Sequence, residues 1–114
     1  MEPGFERVKG LLEGRGFSVV VKRVQYKSIT GGLLEEERLV AVKEGARLSI
    51  SKIGRDWRLA LLAEGEWSEE DAEGLEMLGG LVEVEGDRII AVFRGIPADR
   101  VERLVAEILD SINA

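Results

Sequence analysis

The 114-residue chain has no cysteine and no histidine. These absences exclude disulfides, thiolate nucleophiles, zinc sites built from the usual ligands, and the side chain that ordinarily exchanges protons near neutral pH. Amides are nearly missing as well, with only Gln25 and Asn113, and both prolines, Pro3 and Pro97, fall near expected element starts. Plentiful Glu, Arg and Lys beside so few amides is the pattern of hyperthermophile proteins. No apolar run reaches the length of a transmembrane helix, so no membrane partner is expected. The start, Met1 to Phe5, lacks a basic segment followed by an apolar core, which makes the cytoplasm the expected compartment.

What is present is 45% hydrophobic and 33% charged, the balance of a globular protein, and the length suits one domain over residues 1–114. The net charge of -6 is unevenly distributed. Residues 22–58 carry nine basic side chains against five acidic ones, a local +4, whereas residues 64–114 carry fourteen acids against four arginines, a local -10. An acidic protein therefore has a basic middle.

Phe5, Val8 and Leu12 share one helical face, and Gly14 or Gly16 can end that helix in a left-handed cap. Phe17 to Tyr26 is rich in valine and reads as a strand, broken by the stretch 27–32. Leu33 to Glu37 is compatible with a helical turn or a loop. Two short turns, Glu44-Gly45 and Gly54-Arg55, then divide residues 38–63 into a three-strand antiparallel meander. With two-residue loops, Val42 faces Arg47, Val40 faces Ser49 and Arg38 faces Ser51, while Ser51 and Ser49 in turn face Arg58 and Ala60. The opposite face collects Leu39, Ala41, Leu48, Ile50, Trp57, Leu59 and Leu61, which marks it as the core.

Ser68 is placed to cap a helix whose first turn holds Glu69, Glu70 and Asp71, and Gly79-Gly80 ends it. A second hairpin joins 81–85 to 88–93 through Gly86-Asp87. Pro97 opens a last helix with Val101, Leu104, Val105, Ile108 and Ile112 in one stripe. The fold class is α+β, an antiparallel sheet with a meander and a further hairpin, flanked by N-terminal, central and C-terminal helices.

No constellation of side chains marks an enzyme. The acids at 69–73 suit the positive end of a helix dipole without any metal. Lys27-Ser28 lacks the preceding glycines of a phosphate-binding loop, and Gly31-Gly32 could offer amides to an anion or simply link two elements. The apolar stripe of the last helix fits either the core or a dimer seam. No cofactor and no metal site is expected.

The remaining feature is the outer face of the meander, where Arg38, Arg47 and Arg58 stand among Ser49, Ser51 and Ala60, with Val40, Val42 and Leu62 calling for a cover. Cations along a track, small residues that admit a backbone, and apolar surface for bases are what a single strand of nucleic acid needs. Lys22 and Tyr26 join this candidate site if their strand enters the sheet, and Trp57 and Trp67 lie near strand ends as further stacking surfaces. The stretch from Arg38-Leu39-Val40-Ala41-Val42 through Arg58-Leu59-Ala60-Leu61-Leu62, with the size and composition of the chain, resembles the ThermoDBP-related single-stranded-DNA-binding proteins of hyperthermophilic archaea. That resemblance implies a homo-oligomer that encloses single-stranded DNA against its sheets without catalysis or cofactor. A second reading rests on acidity, small size and a terminal helix, which resemble type III secretion chaperones and imply a dimeric protein-binding module.

Overall fold

The structure, a computed structural model, describes residues 3–53 and 55–113. Helix α1 (Pro3–Gly14) leads into strand β1 (Ser18–Lys27). Strands β2 (Leu33–Lys43), β3 (Ala46–Ile53) and β4 (Asp56–Glu64) follow as the meander. Helix α2 (Glu69–Met77) precedes the hairpin of β5 (Leu81–Glu85) and β6 (Arg88–Ile96), and a 3-10 turn (Ala98–Arg100) leads into helix α3 (Val101–Ser111). The six strands form one antiparallel sheet in the order β1-β2-β3-β4-β6-β5. This is the α+β arrangement expected from the pattern of the chain.

The meander register agrees with the two-residue turns: Val42 pairs with Arg47, Val40 with Ser49, Arg38 with Ser51, Ser51 with Arg58 and Ser49 with Ala60. Gly45 adopts φ +79°, which a residue without Cβ takes at no steric cost. Gly54, in the second of these turns, lies outside the described residues. Leu33 to Glu37 is strand rather than helical turn or loop, because each of these residues pairs with β1 across the 28–32 turn. Pairing partners supplied by Arg23 to Lys27 outweigh the weak strand preference of three glutamates.

All three helices lie on one side of the sheet. Phe5, Val8 and Leu12 from α1, Leu75 from α2, and Val105, Ile108 and Leu109 from α3 are buried with Leu39, Leu48, Ile50, Leu59 and Phe93 from the strands. Each such side chain contributes about 1.5–3 kcal/mol by leaving water. The stripe of α3 therefore belongs to the core, with Ile112 partly buried at its end. Phe5 meets Trp57 edge-on, with ring centroids 4.9 Å apart.

Candidate nucleic-acid interface

Strand pleating sends alternate residues to the side that no helix covers, and the register sorts them into rows running across the sheet. One row is Lys22, Arg38, Ser51 and Arg58. With strands about 4.8 Å apart, it spans about 14 Å. The next row is Val20, Val40, Ser49, Ala60, Val92 and Leu81, and the one after it is Ser18, Val42, Arg47, Leu62, Ile90 and Glu83. Beyond these, Glu64, Arg88 and Glu85 are in register at the far end of the strands.

Six of the seven expected site residues are thus placed on one open face. Arg38, Ser49, Ser51 and Arg58 line a shallow concavity of about 280 Å³ together with Ala60 and Glu36. Lys22 pairs with Arg38 at its margin, and Arg47 lies one row further along, lining a second hollow with Val42, Leu62 and Glu64. The backbone of Tyr26 pairs with Leu34, and its side chain lies outside the described residues.

Glu36 is the member that sequence reasoning missed. Its side chain is only 9% exposed, and both carboxylate oxygens accept from Arg38 Nη2 at 3.4 Å. That separation is long for a charge-assisted bond, so the pair offsets part of the Arg38 charge without locking the guanidinium. The alternation Glu36, Arg38, Val40 could have revealed it had 33–37 been read as strand. Among the described residues, Lys22, Arg47 and Arg58 have no ion-pair partner.

The expected stacking surfaces are altered. Trp57 is 1% exposed on the helix side, wedged against Phe5 with its Nε1 unpartnered among the described residues, so it cannot meet a base on the open face. Trp67 is partly buried and donates from Nε1 to the Ala63 carbonyl at 3.1 Å. The apolar surface on the open face comes instead from aliphatic side chains, with Val20 53%, Val42 48% and Leu81 70% exposed.

The other sequence candidates resolve into local structure. Gly31 N donates to the Ser28 carbonyl at 3.0 Å and Gly32 N to Ser28 Oγ at 3.1 Å, so both amides serve the turn. Ser68 and Asp71 form a reciprocal capping box at the start of α2, which accounts for the acid there. No group of three acidic side chains arranged to hold a metal occurs among the described residues. A cleft of about 290 Å³ between Arg7, Trp57, Asp99 and Glu102 lies on the helix side and includes none of the expected site residues. No helix among the described residues is long and apolar enough to cross a membrane. Comparison with known proteins finds no matching family model, curated protein or solved structure.

Proposed function

We propose that this is a non-catalytic single-stranded nucleic-acid-binding protein, with single-stranded DNA as the polymer. The backbone runs along Lys22, Arg38, Ser51 and Arg58, and Arg47 meets it from the neighbouring row. The observation that carries this reading is the convergence of three basic side chains in register, with Arg47 in the next row, on a face that no helix covers, around a concavity floored by Ser49, Ser51 and Ala60. Small residues there admit a phosphate close to the sheet, while Val20, Val40 and Ala60 offer sequence-tolerant surface to the bases. The overall charge of -6 does not cancel the patch, because at physiological salt the Debye length is about 8 Å and most acids belong to other parts of the chain. No cofactor or metal takes part, and the uncovered aliphatic rows favour a homo-oligomer.

Fluorescence anisotropy with labelled single-stranded and duplex oligonucleotides at two salt concentrations tests the reading. Saturable preference for single strands, weakening with salt, is expected, and the folded triple variant Arg38→Ala, Arg47→Ala, Arg58→Ala should bind at least about tenfold more weakly. Unchanged affinity in that variant defeats the site assignment.

A protein-binding module is the second reading, favoured by Glu36 beside Arg38 and by aliphatic rows that continue onto β6 and β5. Absence of oligonucleotide binding at micromolar protein would select it.

A further inference from the structure

The two rows cross all six strands, and eight of their twelve members are aliphatic, the others being Ser18, Arg47, Ser49 and Glu83. Two rows about 6.8 Å apart across six strands make a mainly aliphatic band with a footprint of roughly 30 by 14 Å, about 400 Å², of the size that an interaction surface occupies. The charges on this face are segregated along the strand direction. Lys22, Arg38 and Arg58 stand at one end of the band, with Glu36 beside Arg38, and Glu64 and Glu85 stand at the other, with Arg88 between them and Glu44 in the adjoining turn.

We infer that the occupant of this face is a second copy of the chain, packed sheet on sheet about a two-fold axis perpendicular to the strands. The axis lies over the register row Val19, Ala41, Leu48, Leu61, Ala91 and Val82, which runs between the two aliphatic rows. Rotation about it lays each aliphatic row on the other row of the second copy. Val40 then meets the partner's Val42, and Val92 meets the partner's Ile90. Large side chains also fall on small ones, the partner's Leu62 over Ala60 and the partner's Arg47 over Ser49. The same operation sets the basic end against the acidic end, Arg58 opposite the partner's Glu64 and Arg38 opposite the partner's Glu44. A two-fold axis parallel to the strands would instead bring both basic ends together, and like charges in an interface oppose association. The patch is self-complementary in size and in the charges at its two ends, as an isologous interface requires, while Arg47 and Glu83 lie within the band over the partner's Ser49 and the partner's Leu81. This inference stands whether or not the basic row binds nucleic acid.

Sedimentation velocity on the full chain tests it, with thermal melting by circular dichroism confirming that each variant is folded. The wild type should sediment as a dimer. Arg58→Glu and Glu64→Arg should each weaken dimerisation by about tenfold or more, and the double variant should recover most of the loss, because the exchanged charges again face each other. Val92→Glu should give a monomer, since its register neighbours are Ala60 and Leu81 and the carboxylate would be buried without a partner. A monomeric wild type, a double variant no tighter than either single, or a dimer that survives Val92→Glu would each overturn the inference.

Discussion

Glu36 and Arg38 are two residues apart on one strand, and their pairing decides how much positive charge the open face presents. Glu36→Gln should tighten oligonucleotide binding severalfold, because it removes a nearby negative charge while keeping the shape of the side chain; anisotropy at low salt reads this directly. An unchanged or weaker affinity would mean that Glu36 does not compete with phosphate for Arg38. At Gly80, an added Cβ would lie 2.8 Å from the Phe93 ring and 3.1 Å from the Leu75 carbonyl oxygen. Gly80→Ala should therefore cost about 1–3 kcal/mol in urea denaturation, since neither a buried ring nor backbone yields easily. The role of Glu36 was hidden in the sequence because its strand was ambiguous. The placement of Ser49, Ser51 and Arg58 on the open face followed from alternation alone.

Among the elements, α2 depends most on its cap. Ser68 Oγ accepts from Asp71 N, the Asp71 carboxylate accepts from Ser68 N, and only Leu75 of the helix is fully buried. Ser68→Ala should cost about 1 kcal/mol, a fall of about 4 °C in Tm by calorimetry. The hairpin of β1 and β2 behaves differently. Val24 to Lys27 pair with Leu33 to Glu36, and β3 begins to pair with β2 only at Arg38, so this part of the hairpin projects beyond the meander. Hydrogen exchange should find the amides of 24–36 less protected than those of β3 and β4, which have a strand on each side and helices beneath. Equal protection would indicate that something holds the projecting part in solution.

For the whole molecule, one layer of helices and one layer of sheet leave the second sheet face without a cover. Nucleic acid and a second copy would both use Arg38 and Arg58, so saturating single-stranded oligonucleotide should shift sedimentation from dimer towards monomer. Persistence of the full dimer with oligonucleotide bound would place the strand elsewhere. By itself the sequence determined the fold class, the register of the meander and the content of its two faces. Strand pleating alternates strictly, and two-residue turns leave little freedom in pairing, so local spacing was sufficient. The tertiary structure alone decided that β6, and not β5, pairs with β4, which brings Ile90 and Val92 beside Leu62 and Ala60 and widens the aliphatic band. It also decided that 33–37 is strand and that Glu36 shares the hollow with Arg58. Each of these rests on contacts between segments distant in the chain, which local periodicity does not encode.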